Sequence, residues 1–411
     1  MSLLVRAGKA GKAFLKKYIL PPAVHHVSYT RRLERVRTNR RICAMTFDDG
    51  PFNMPCSPDR FDGRTLTDVL LDTLAEFGAH GTFDVVGDTS ENYPDKAGRE
   101  GSPEWGGVKY DHYPDIEKDA LGGVVHNERL VRRMIDEGHQ ISSHSYRHII
   151  YGKKNYVYQG REFLGSLDAA VDDLKRLDLY MFDRYGYKIT MHRPPHYVDK
   201  IGDGFTSYDV CDRMDYQYMA ASFDGAGWLP LADYEAEVEA MVAPMKAALE
   251  KDPDFFCGQI IFQKDGYNMA RRTPVADGLR KQLELLKNYG YEVVSVEELC
   301  AETPFADVGQ EDFDLGRFIE ISKTRGIAFS DNTLRLSQLM TCGELAMLMA
   351  PKEEVLKQHM RAYPAAFAWA QKIGFVPANK KESDPVESLP MGIFGHTADF
   401  TRRSVYEAFR G

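Results

Sequence analysis

The sequence predicts an α/β fold over residues 41–302, a parallel sheet covered by helices and either open or closed into a barrel. A small all-helical unit is predicted to follow over residues 303–411. Three observations carry this reading. Short apolar runs alternate with amphipathic segments from residue 41 to about 300, which implies helical crossovers between parallel strands. Polar residues suited to chemistry fall at or just past the C-terminal ends of those runs, where parallel α/β sheets build their sites. Near Thr303-Pro304 the alternation stops and only helical patterning continues.

Residues 1–40 come first, opening with a basic stretch that carries Arg6, Lys9, Lys12, Lys16 and Lys17. A helix packing on the main domain is expected there, closed by Pro21 and Pro22. Phe14, Leu15, Tyr18 and Ile19 share one helical face, so a membrane-surface helix is the alternative. The lysines interrupt the continuous apolar core that a secretory signal needs. Strands are predicted at 42–47, 82–87, 140–144, 189–192, 218–223, 259–262 and 292–296. Helices are predicted at 66–77, 127–137, 163–185, 233–250 and 274–289. Residues 88–125, rich in turn formers and charge, read as a long inserted loop suited to walling a groove. Beyond 303, helices are predicted at 317–324, 343–349, 352–361 and 365–374, with a solvated charged linker at 380–384. Thr341 is placed to cap the second of these, with Glu344 completing a capping box.

Composition narrows the function classes. With 43% hydrophobic and 27% charged residues the chain is an ordinary soluble globular sequence. A net charge of −9 argues against a broad nucleic-acid-binding surface. No apolar run approaches the roughly 18 residues of a membrane span. The cysteines at 43, 56, 211, 257, 300 and 342 are dispersed and form no Cys-x-x-Cys, which fits buried free thiols in a reducing setting.

Chemistry concentrates at two places. The run Ala44-Met45-Thr46-Phe47-Asp48-Asp49-Gly50-Pro51 ends a buried strand in two adjacent carboxylates. Neighbours in a strand face opposite sides, so the two can share a site only where the backbone leaves strand geometry, and Gly50 is expected to supply that freedom. One carboxylate binding metal and the other moving protons is the chemical reading, against an Asx turn that merely caps the strand. The second place is His144-Ser145-Tyr146-Arg147-His148. Two histidines four apart project from one face if the strand passes into a helical turn, and two His plus one carboxylate make a sufficient shell for a catalytic divalent metal.

Thr46-Phe47-Asp48-Asp49-Gly50-Pro51 and His144-Ser145-Tyr146-Arg147-His148 closely resemble the first two motifs of polysaccharide deacetylases with the NodB-homology domain. Gly81-Thr82-Phe83-Asp84-Val85-Val86-Gly87 resembles that family's second strand, and Arg193-Pro194-Pro195 its third motif. The resemblance covers about residues 40–300. It implies a distorted (β/α) barrel that removes acetyl groups from N-acetylated sugars with a divalent metal, zinc first, then cobalt, nickel or manganese. Carried over by position, Asp49, His144 and His148 hold the metal and Asp48 is the general base. Arg193 orients Asp48 through a bidentate pair, and the backbone N–H of His196 helps to stabilise the oxyanion. Trp228 and Tyr197 are the expected substrate-binding aromatics.

Two positions depart from the family. Lys264 stands where its fifth motif carries the histidine that protonates the leaving amine. Gly227 stands where its fourth motif carries the Asp that tunes that histidine. Three readings follow: Lys264 is the acid, His196 is the acid, or the site binds metal and substrate with poor turnover. In the C-terminal part, Pro304-Phe305-Ala306-Asp307-Val308, the run 326–334 and Thr341-Cys342-Gly343-Glu344 resemble one S-layer homology repeat, which implies attachment to a cell-wall polymer; a helical cap on the barrel is the alternative. Both resemblances point to the cell envelope, whereas residues 1–20 show no export signal, so a cytoplasmic enzyme acting on a sugar precursor stays open. The expected function is a metal-dependent carbohydrate N-deacetylase. The alternative is a weak or inactive glycan-binding protein on the same scaffold.

Overall fold

The computed structural model describes residues 27–91, 122–152, 163–268, 270–322, 327–388 and 399–410. The expected helix within residues 1–20 lies outside the described residues, as do 92–121 of the inserted loop and Gly326 of the C-terminal motif.

At the centre is β3 (Ile42–Asp48), buried at all seven positions. Its continuous apolar run is what a strand needs when both faces of a parallel sheet are covered. β3 pairs in parallel with β9 (Ile260–Lys264) on one side. On the other it pairs with β10 (Glu292–Val294) at its start and β4 (Thr82–Val85) at its end. The sheet continues through β5 (Gln140–Ser143), β6 (Met191–His192) and β7 (Gln217–Met219), every pairing parallel. Helices Leu66–Phe77, Glu128–Asp136, Leu167–Tyr185, Tyr234–Lys251 and Val275–Asn288 form crossovers, close to the predicted positions. A further crossover, Ser207–Met214, was not predicted. At eight residues it is too short to show a helical period, although the Thr206–Asp209 capping box that starts it is visible in the sequence.

The predicted strand at 218–223 is two strands, β7 and β8 (Phe223–Asp224). Between them the small residues 220–222 let the chain swing across: Ala220 N donates to Leu33 O and Ser222 N to Ile260 O. β7 therefore pairs with β6, while β8, a few residues on, pairs with β9. That bend carries the sheet round from its last parallel pair to β9 and gives the distorted (β/α) barrel. β2 (Arg32–Leu33) joins at this seam, alongside β7.

Residues 305–406 build a second core around Phe305, Leu345, Ala366 and Tyr406. Its helices are Phe313–Ile321, Cys342–Met349, Lys352–Leu356, Ala362–Lys372 and Arg402–Arg410. The predicted helix 352–361 ends at Leu356, because Arg361 is extended and starts the next helix instead. The capping box at Thr341 and Glu344 is present. The stretch 380–384 is more than a linker, since the carbonyls of Glu382 and Asp384 accept from the N–H groups of Gly343 and Cys342 at that helix's start. β1 (Val27–Ser28) pairs antiparallel with β11 (Ala328–Phe329), and buried Arg31 reaches both Gln217 of the barrel and Glu320 of the helical unit. All six cysteines are free, four of them buried.

Helices Leu66–Phe77 and Glu128–Asp136 are joined across the barrel surface by Asp68, which accepts from Arg129 at 2.8 Å and Arg133 at 2.7 Å. Arg129 first, then Thr65 and Arg133, hold the Asp68 carboxyl well below the usual carboxylate range despite partial burial. A lowered folded-state pKa means stability that is present above the unfolded value of about 4 and lost as pH falls toward the folded one. Asp68→Asn is expected to lower the urea midpoint at pH 7, with the gap to wild type narrowing below about pH 4.

Candidate active site

The site forms where β3, β5, β6 and β9 end. β3 stops at Asp48, and Asp49 takes a φ of 84°. That turn, held by Asp49 N donating to Asp84 O at 3.2 Å, brings both carboxylates to one side. The backbone freedom expected of Gly50 is thus exercised by Asp49 itself. Gly50 is needed for another reason: a Cβ there would run into the Asp265 carboxylate packed against the turn.

The expected helical turn from His144 to His148 does not form. Ser145 (φ 76°) and His148 (φ 54°) are both left-handed, with His148 N donating to Ser145 Oγ at 2.9 Å. This tight knot still brings the rings to 5.0 Å between centroids. His144 Nδ1 donates to Arg193 O at 2.8 Å, which leaves Nε2 turned toward Asp49. His148 Nε2 lies 3.1 Å and His144 Nε2 3.4 Å from Asp49 Oδ1. All three residues are buried, and one donor atom from each falls within 4.8 Å of the others. Two imidazoles and a carboxylate oxygen converging from one side, with one ring fixed by a backbone carbonyl, fit a divalent cation. Burial opposes charge on His144, but Asp48 and Asp49 outweigh it and raise its pKa.

Arg193 does not clasp Asp48 with both arms. Its Nη1 serves Asp48 Oδ1, Asp84 Oδ2 at 2.8 Å and Thr46 Oγ1 at 2.7 Å together, while Nη2 donates to Ala220 O at 3.1 Å. Asp84 is the residue sequence reasoning missed. It is the register partner of Asp48 on the neighbouring strand, and both carboxylates reach the same guanidinium. The signal was a lone acid in the buried run Thr82–Val85. Burial, and then the Asp48 charge, push the Asp84 carboxyl up against the pull of Arg193. Burial thus works against the charged form of the Asp84 carboxyl.

Apart from Arg193, which lies fully buried, the expected residues line one cleft of about 490 Å³: Asp48, Asp49, His144, His148, His196, Tyr197, Trp228 and Lys264. His196 (φ 54°) places its ring 5.5 Å from that of His148. The Tyr197 ring stands 5.6 Å from the Arg193 guanidinium. Trp228 Nε1 donates to Asp224 at 3.0 Å, a second acid that the sequence reading had not singled out. The Lys264 ammonium is bonded to Asp49 Oδ2.

Residues 35–197 match the family model described as polysaccharide deacetylase. A peptidoglycan-N-acetylglucosamine deacetylase of Listeria monocytogenes serotype 1/2a is 25% identical over 280 residues, 68% of this chain and 42% of the relative, so the chain spans less than half of that protein's length. A peptidoglycan-N-acetylmuramic acid deacetylase of Bacillus subtilis is 24% identical over 42% of this chain and 25% of its own length. Among solved structures, the chitin deacetylase of Colletotrichum lindemuthianum aligns with a TM-score of 0.43 at 19% identity, covering 70% of this chain and 95% of that one. A CE4 family pseudoenzyme from Bacillus anthracis aligns at 0.41 and 14%, covering 68% and 69%. The motifs at Asp48-Asp49, His144/His148 and Arg193 all fall inside the segment that matches the polysaccharide deacetylase model.

Proposed function

We propose that the protein is a metal-dependent hydrolase that removes N-acetyl groups from an amino-sugar glycan or its precursor. The observation that supports this most is the convergence of Asp49, His144 and His148 beside Asp48 in one cleft. A divalent ion held by the three, zinc being the first candidate, supplies Lewis acidity toward the acetyl carbonyl and the attacking water. Asp48 accepts the water's proton. Arg193 holds Asp48 in place, and Asp84 fixes Arg193 through the same Nη1. The His196 N–H is assigned to the oxyanion. Trp228 and Tyr197 are assigned to flank the sugar. Lys264 commits its ammonium to Asp49, so delivery of a proton to the leaving amine is assigned to the His196 ring, with Lys264 as the second candidate.

A weakly active or inactive glycan-binding protein is the second reading, favoured by that same Lys264–Asp49 pair. For residues 303–411 we favour the helical cap over polymer attachment, on the strength of the β1–β11 pairing, the Arg31 bonds and the burial of Cys342 where the S-layer motif has its basic residue.

Acetate release from N-acetylglucosamine oligomers by the zinc-loaded full chain is the deciding assay. Bound ion without release from any acetylated glycan favours the binding protein. Asp48→Asn is expected to cut release by about 10²–10⁴ with the ion retained. His196→Ala is expected to slow kcat at least about tenfold, and an effect on Lys264→Ala alone would move the acid there. Asp84→Asn, which keeps an oxygen acceptor for Arg193 Nη1, should hold kcat within a few-fold. Asp84→Ala, which leaves Arg193 short of a partner, should lower kcat about tenfold or more at little change in KM.

A further inference from the structure

β9 runs parallel to β3 with Lys264 in register with Asp48, so its side chain enters the cleft at the level of the paired carboxylates. Lys264 is only 4% exposed. Its ammonium sits on Asp49 Oδ2, while Oδ1 of the same carboxylate faces His148 Nε2 at 3.1 Å and His144 Nε2 at 3.4 Å. The two oxygens of Asp49 are therefore divided between two cations: Oδ1 toward the imidazoles and the ion they would hold, Oδ2 toward a lysine.

Two consequences follow. With Oδ2 taken, Asp49 offers the ion one oxygen and cannot chelate it through both. A buried ammonium on the far side of the same carboxylate also drains the negative charge that would attract the ion and repels it directly, with little water between to screen the effect. Without an ion, Lys264 neutralises a carboxylate that would otherwise be buried beside Asp48 with too little positive charge.

We infer that Lys264 is a positioning residue for the metal centre: it confines Asp49 to a single ion-facing oxygen, weakens the hold on the ion, and keeps the ion-free site folded. The inference rests on the metal-centre reading above and deepens it. It concerns affinity for the ion, which is measured independently of turnover.

The test is a chelator-competition or calorimetric titration of Zn²⁺ into the ion-free full chain, alongside Lys264→Met, Lys264→Gln and Lys264→Arg, with a thermal melt of each before and after loading. Lys264→Met is expected to bind Zn²⁺ at least tenfold tighter than wild type. Its ion-free Tm should be lower and its gain in Tm on loading larger. Lys264→Gln, which keeps a donor to Asp49 but removes the charge, should also bind more tightly, and it serves if the Met variant does not fold. Lys264→Arg, which keeps the charge, should stay within a few-fold of wild type. Equal or weaker binding by both uncharged variants, with wild type binding normally, overturns the inference and leaves the metal centre standing. Failure of wild type and variants alike to bind Zn²⁺ or Co²⁺ overturns both.

Discussion

A guanidinium shut away from water has to be satisfied where it lies, and Arg193 is fully buried. Its partners are drawn from three places that are distant in sequence: Thr46 and Asp48 on β3, Asp84 on β4, and the Ala220 carbonyl at the bend between β7 and β8. The same residue's carbonyl takes the Nδ1 proton of His144. One amino acid thus orients the Asp48 carboxylate with its side chain and the His144 imidazole with its backbone. Losing it would strand two buried carboxyls and release a ring, so fold and chemistry share this fixture.

The local motifs were legible because each carries its chemistry within a few residues. Asp48-Asp49 at a strand end and His144/His148 after another picked out residues that the fold brings into one cleft. The apolar strand before each said which end of a sheet they occupy. The long helices, such as Leu66–Phe77, were legible through their period. What escaped was whatever depends on the neighbour across the sheet. Asp84 is one acid in an apolar strand until its register with Asp48 is known. The sharing of Arg193 between two carboxyls, instead of a two-armed clasp on one, follows from that register alone. The split of 218–223 escaped because a run of small residues reads the same whether the strand continues or bends. The two-residue strands β1 and β2 are too short to show any period. At His144–His148 a pair of left-handed residues brings the rings together without the helical turn on which the sequence argument was conditioned.

Lys264, where the sequence departs from the motif it resembles, does more than line the cleft. It sets its ammonium on Asp49 Oδ2, and it does so from β9, whose register with β3 brings it level with Asp48. Asp48, Asp49, His144 and His148 share that cleft with Lys264, His196 and the Asp224–Trp228 pair.

The pairing of β1 with β11 has a consequence for how the chain comes into being. Val27 finds Phe329 across about 300 residues of intervening chain, whereas β2, only a few residues beyond β1, belongs to the barrel. During synthesis the barrel strands emerge in order and can assemble behind the ribosome, but among the described residues Val27–Ser28 gains its strand partner only once Ala328–Phe329 has been made. The helical unit therefore closes the fold in time as well as in space, and a chain cut at the end of the barrel would keep that edge open for good.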